Sequence, residues 1–202
     1  ILAALSFGQH VYPDQVPTEG ITKVTLADVD YAEGAGKKIK LLGRAIRMED
    51  GRICAYVAPH LVDVSHPLAG VEDVFNGISV RGDAIGDVMF YGRGAGKLPT
   101  ASAVVADVMD IARNMGHRKA LCWAPGGPDA VSGTGNLPSR WYVRVNAGAD
   151  ELRSALGEVK LLARSGASGE EAACLTEEEL TQPQLLEKLS GLDVRSVIRV
   201  LN

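Results

Sequence analysis

Cysteine is scarce in this 202-residue chain: Cys54, Cys122 and Cys174 are odd in number, far apart and form no C-x-x-C pair. That spacing supports neither a disulfide framework nor a zinc site, and a reducing cytosol is expected. Long apolar runs are missing too. None approaches the ~20 residues that cross a bilayer, so a membrane-spanning segment is not expected. Nor is there an excess of positive charge, since the formal net charge is −4 with both signs mixed along the chain. The longest basic cluster, Lys37, Lys38 and Lys40, is too short to neutralise a phosphate backbone, which argues against nucleic acid as a partner. An initiator methionine is also lacking. Ile1–Phe7 reads as the last turns of a buried helix closed by Gly8, and a fragment of a longer protein is the expectation.

What is present is the patterning of a soluble globular protein large enough to bury a proper core. Thr25–Glu33, with early acids and a glycine behind it, predicts a short helix. Lys38–Met48 and Arg52–Ala58 predict two strands joined at Asp50-Gly51, a strong hairpin turn. Both carry apolar residues on both faces, which predicts a pair inside a covered sheet. Phe75–Val80 and Asp87–Tyr91 predict a second pair of strands, bent between Gly82 and Gly86. From Thr100 to Met115, Ala101, Val104, Val105, Val108, Ile111, Ala112 and Met115 recur at helical spacing and predict one buried stripe. Residues 125–139 have the composition of a linker. Beyond them, strands at Arg140–Val145, Val159–Arg164, Glu171–Leu175 and Arg195–Leu201 alternate with helices at Asp150–Leu156 and from a capping box at Thr181 to Ser190. The order βαββαβ is that of a ferredoxin-like split βαβ unit.

The stretch with most chemistry in it is Gly92-Arg-Gly-Ala-Gly-Lys-Leu-Pro-Thr-Ala-Ser102. Three glycines carry a strand into a helix whose first residue is expected to be Pro99. Without a Cβ, Gly92, Gly94 and Gly96 let a flat ring or an oxyanion approach the backbone. The free N–H groups of the helix start favour a polar or anionic group. A tight turn with no ligand is the alternative reading. A phosphate loop is disfavoured, because the run lacks the Gly-Lys-Ser/Thr that would hold phosphate and Mg²⁺.

Other polar residues have quieter readings. Lys38 and Lys40 suit ion pairing or snorkelling, Glu19 suits capping of the amides at Ile21 or Thr22, and Asp83 and Asp87 suit backbone bonds at a bend. His60 after Pro59 and His66 before Pro67 read as loop ends, and His10 and His117 as helix termini, with no metal-ligand spacing among them. Asp107, Asp110 and Arg113 suit a solvated or intersubunit helix face.

Several ordered motifs together carry a family resemblance. Glu19-Gly-Ile21, Asp28, Lys38–Leu42, His66-Pro-Leu-Ala69, Val74-Phe-Asn76, Gly82–Asp87, Met89–Gly96 and Pro99–Asp107 resemble homoserine dehydrogenase. The match covers almost all of residues 1–118. Residues 140–202 are more loosely similar to the ACT regulatory domain that ends many bacterial members. The resemblance implies an α+β fold: a mixed, largely antiparallel sheet covered by helices, followed by a small ferredoxin-like βαββαβ ACT-type domain. It implies a catalytic and dimerisation region over 1–118, a linker over 119–139 and an ACT-like domain over 140–202.

Interconversion of homoserine and aspartate semialdehyde with NADP or NAD, in threonine and methionine biosynthesis, is the activity the resemblance implies, in a cytoplasmic homodimer. The family's dinucleotide-binding Rossmann domain and its acid/base lysine precede Ile1, so no catalytic residue is assigned and the chain alone is expected to be inactive. Gly94, Ala95, Gly96 and Thr100 are the residues the resemblance places at the nicotinamide end of the cofactor or the substrate. Lys97, where relatives often have a small residue, is expected to point to solvent. The ACT-like part departs from its family at Asn146–Asp150, which replaces the usual proline-glycine turn and puts threonine binding there in doubt. A stand-alone amino-acid-binding or dimerisation module without chemistry is the competing reading.

Overall fold

The computed structural model describes residues 1–117, 123–127 and 129–201. Cys122 therefore lies outside the described residues. Two compact units divide the chain: one comprises Ile1–Asp63 and Cys122–Asn202, the other Val64–Leu121.

The first unit is built on six strands. β1 (Lys37–Arg47) and β2 (Ile53–Asp63) form an antiparallel pair in unbroken register. Gly51 turns the chain between them at φ 83°, the left-handed conformation that asks for glycine. β5 (Trp141–Val145), β6 (Val159–Leu162), β7 (Ala172–Thr176) and β8 (Val194–Val200) complete the sheet, in the order β1-β2-β8-β5-β7-β6. All neighbours are antiparallel except β2 and β8, which run parallel through His60–Arg199 and Leu61–Val200. The last four strands thus share one sheet with the first two.

Four α-helices belong to this unit among its described residues. α1 (Leu2–Phe7) ends at Gly8 with φ 70°, as expected, but Leu2 and Leu5 are exposed and only Ala4 is buried, so the helix is not the core element its composition predicts. α2 (Leu26–Gly34) packs Tyr31 and Ala32 against Leu61, Tyr142, Ala173, Ile198 and Val200 on one face. On the opposite face α4 (Ala149–Leu156) and α5 (Gln182–Lys188) bury Leu152, Leu156 and Leu185 against Trp141, Val143 and Val145. The alternation along β5 explains this: odd residues meet α4 and α5, while Tyr142 and Arg144 face α2. Thr181 caps α5 as expected, accepting from the Gln184 N–H while the Gln184 side chain accepts from the Thr181 N–H.

Three expectations are corrected in this unit. β1 is half exposed along its length, because it is an edge strand and not part of a doubly covered pair. β2 does not stop at Ala58 but continues through Pro59 and His60 to Asp63, so His60 is fully buried rather than at a loop end. Burial against β8 decides the strand's length, and local proline chemistry does not. Of the stretch 125–139 expected to be a linker, the described residues 129–139 are not free. Ala130, Ser132, Leu137 and Ser139 are buried, and the Ile53 and Ser139 backbones pair with Val131 and Leu180.

The second unit holds a hairpin, β3 (Phe75–Gly82) with β4 (Gly86–Arg93), then α3 (Lys97–Arg113). Arg81 and Asp87 close the hairpin end with an exposed ion pair at 2.7 Å. α3 starts two residues before Pro99, which occupies its third position, where the missing N–H would have had no helical partner anyway. No residue of α3 is buried. The predicted stripe is present in spacing but exposed, with Ile111 at 67% and Met115 at 76%. Periodicity reports amphipathicity and not what covers it.

Candidate functional site

Gly94, Ala95, Gly96 and Thr100 form one exposed corner between β4 and α3. Below the corner, Phe75 and Tyr91 stack across the hairpin with centroids 4.8 Å apart, and the Arg93 guanidinium lies 4.9 Å over Phe75. Such aromatic pairing stiffens the strand ends from which the loop departs. The Gly94 N–H donates to the Val74 carbonyl at 3.3 Å, and the Thr100 N–H donates to the Gly96 carbonyl at 3.1 Å as the first helical bond.

Each glycine has its own reason. A Cβ on Gly94 would collide with the Asn76 side-chain amide, and one on Gly92 would meet open space. Gly96 sits at φ 120° and ψ 157°, a region open essentially to glycine alone. Gly96→Val is therefore expected to cost about 1–3 kcal/mol or to re-route the corner. Amide hydrogen exchange across the first turn of α3 reads this directly: unchanged protection there would refute the assignment.

The corner offers bare backbone and a helix's positive end, but no histidine, cysteine or carboxylate side chain. From Gly92 to Thr100 the only ionisable side chains are Arg93 and Lys97, and Lys97 is exposed as expected. It can therefore bind and orient a flat or anionic group, and any proton transfer has to come from elsewhere. No group of three or more acids, histidines or cysteines that could hold a metal occurs among the described residues.

A buried network of charges lies in the first unit. Asp28, fully buried at the start of α2, accepts from Arg144 Nε at 2.8 Å, from the Tyr142 hydroxyl at 3.0 Å, and from the Thr25 hydroxyl and N–H. Arg144 Nη1 also reaches Glu171 at 3.1 Å, and Glu171 in turn pairs with Arg164 and accepts from the Tyr31 hydroxyl. Burial alone would raise the Asp28 carboxyl; the bonds from Arg144 and Thr25 outweigh it and hold it below the ordinary value. The same contest leaves Glu171 lowered. Tyr142 is pushed up by burial and by the facing Asp28. Sequence reading missed this network. Its one legible trace is Thr25-x-x-Asp28, a helix-start box whose acid serves a second partner.

A second buried cluster surrounds His60. Its Nδ1–H donates to the Ala58 carbonyl at 2.9 Å, which fixes the tautomer, and its Nε2 accepts from the Tyr56 hydroxyl at 3.1 Å. Burial lowers the imidazole to about 4. Arg199 lies between the Trp141 and Tyr56 rings, 4.3 and 5.4 Å from their centroids, and donates to the Ser139 hydroxyl. Cys54 and Cys174 are buried thiols, the latter pushed up to about 12 by desolvation, and neither is poised as a nucleophile.

The family model described as homoserine dehydrogenase matches residues 1–109. A homoserine dehydrogenase from Pseudomonas aeruginosa is 42% identical over 154 residues, covering 73% of this chain and 35% of the relative. One from Neisseria gonorrhoeae is 37% identical over 195 residues, 93% of this chain and 41% of the relative. Among solved structures, the Thiobacillus denitrificans homoserine dehydrogenase superposes with a TM-score of 0.81 at 29% identity. The Staphylococcus aureus enzyme at pH 6.0 gives 0.76 at 33%. Both cover all of this chain and 51% of the solved one. The chain spans well under half the length of these two curated relatives.

Proposed function

The chain belongs to the homoserine dehydrogenase family, and on that premise we propose that it forms one wall of an NAD(P)-dependent enzyme interconverting homoserine and aspartate semialdehyde. The observation that carries this is the glycine corner at Gly94–Gly96, which lies inside the family match and leaves main chain bare where a ring or oxygen could approach. Gly94, Ala95, Gly96 and Thr100 fit the nicotinamide end of the cofactor, the group that supplies or accepts the hydride. Their part is close backbone contact and N–H donation, with the Phe75–Tyr91 stack holding them in place. In this reading the remaining half of the solved enzymes' length supplies the rest of the cofactor site and the acid/base group.

The same reading makes the protein a cytoplasmic enzyme of threonine and methionine synthesis. It makes residues 140–202 an ACT-type unit, supported by the order β8-β5-β7-β6, which is that of a split βαβ fold. It makes the working form a homodimer, supported by the exposed apolar residues of α3 and the hairpin. Light scattering of the chain at rising concentration is expected to report a dimer, and monomer throughout would refute that part.

The activity is tested by joining the chain to the amino-terminal half of the Thiobacillus denitrificans enzyme and following NAD(P)H formation from homoserine. The joined protein is expected to be active, its Gly96→Val form to lose at least about 10-fold in kcat/KM, and the chain alone to show nothing. A folded, cofactor-binding chimera with no turnover, or activity indifferent to Gly96, would overturn the proposal.

A further inference from the structure

Antiparallel pairing sorts the side chains of the β3–β4 hairpin onto two faces. One face carries the Phe75–Tyr91 stack and Arg93. The other sets Asn76 opposite Gly92, Ile78 opposite Phe90 and Val80 opposite Val88, so Asn76 is the one side chain on it that can form hydrogen bonds. A side chain on Gly94 would overlap the Asn76 amide nitrogen, which places the amide directly over bare backbone at the start of the glycine corner. Gly92 has open space where a side chain would stand. Asn76 is exposed, and among the described residues its side-chain amide has no hydrogen-bond partner. The missing side chains at 92 and 94 thus leave a flat floor with one polar edge, whose donor and acceptor are both free.

On the reading of this chain as one wall of a dehydrogenase, we infer that Asn76 is a specificity-determining residue of the cofactor site and recognises the carboxamide on the nicotinamide ring. The polar edge is neutral and two-sided, and that selects its partner. A carboxylate is best served by Arg or Lys and an ammonium by Asp or Glu, whereas a carboxamide presents one donor and one acceptor side by side, as Asn76 does in return. Oδ1 accepts from the carboxamide nitrogen while Nδ2 donates to the carboxamide oxygen. The pair of bonds sets how the ring is turned against the glycine floor. Asn76 moves no proton; its part is orientation.

Equilibrium binding of NAD(P)H and of its 3-acetylpyridine analogue, which carries a methyl group in place of the carboxamide nitrogen, tests the assignment in the chain joined to the amino-terminal half of the Thiobacillus denitrificans enzyme. The joined protein is expected to bind NAD(P)H about 5-fold more tightly than the analogue, the worth of one hydrogen bond. Asn76→Leu keeps the shape of the side chain and removes both polar atoms, and at this exposed position it does not threaten the fold. It should bring the two dinucleotides to within about 2-fold of each other, an effect that mere support of the loop by the side chain would not produce. No preference for NAD(P)H in the parent, or a preference that survives in Asn76→Leu, would overturn the assignment alone. A joined protein that binds neither dinucleotide would refute the dehydrogenase reading and this assignment with it.

Discussion

Replacing Arg144 by methionine is expected to destabilise the chain by about 3–5 kcal/mol, visible as a large fall in the denaturant midpoint with little change in slope. The reason is what the substitution leaves behind. Asp28 is fully buried and Arg144 is 9% exposed at the side chain, so neither charge is screened by water. Without the guanidinium, Asp28 keeps only Thr25 and Tyr142 as donors, and Glu171 keeps Arg164 and Tyr31. Protonation of Asp28 is the route by which the variant relieves the cost, so its stability should rise as pH falls toward the raised carboxyl value. Removing both partners, Asp28→Leu with Arg144→Met, should cost far less than the sum of the single changes. Additive losses would show that the pair is not the unit described.

Acid should weaken the native chain through His60 before it reaches the carboxylates. The unfolded imidazole titrates near 6.5 and the buried one at about 4. Between those values the unfolded state binds the extra proton, so stability is full above pH 6.5, falls as pH drops through the window, and levels off below 4. The total is about 3 kcal/mol. Loss from Asp28 and Glu171, whose carboxyls are lowered in the fold, follows at lower pH. His60→Gln should flatten the upper limb and leave the lower one. A parent chain whose midpoint is constant between pH 6.5 and 4 would contradict the buried neutral state.

How much of this was legible in the residues follows a pattern. Local signals held wherever a short motif has one conformational answer: Asp50-Gly51 as a turn, Thr181–Gln184 as a helix start, Gly8 as a helix stop. Signals that depend on a distant partner failed. Pro59 looked like a strand end because nothing nearby announces that β8 pairs against the next two residues. The stripe on α3 predicts core, yet it is exposed, because spacing says which side is apolar and not what meets it. The glycine turn between β4 and α3 is legible because missing side chains in a row announce it. The Asp28–Arg144–Glu171 network was not, since its members come together only when α2, β5 and the start of β7 are assembled.

The parallel seam of β8 against β2 joins segments far apart in sequence. Among the described residues β8 is the last strand in sequence, yet it sits in the interior of its sheet. Without it, the hairpin of β1 and β2 and the trio of β5, β6 and β7 are separate ribbons. Closing this sheet therefore requires long-range contacts, because β8 joins the two ribbons by pairing with β2 on one side and β5 on the other.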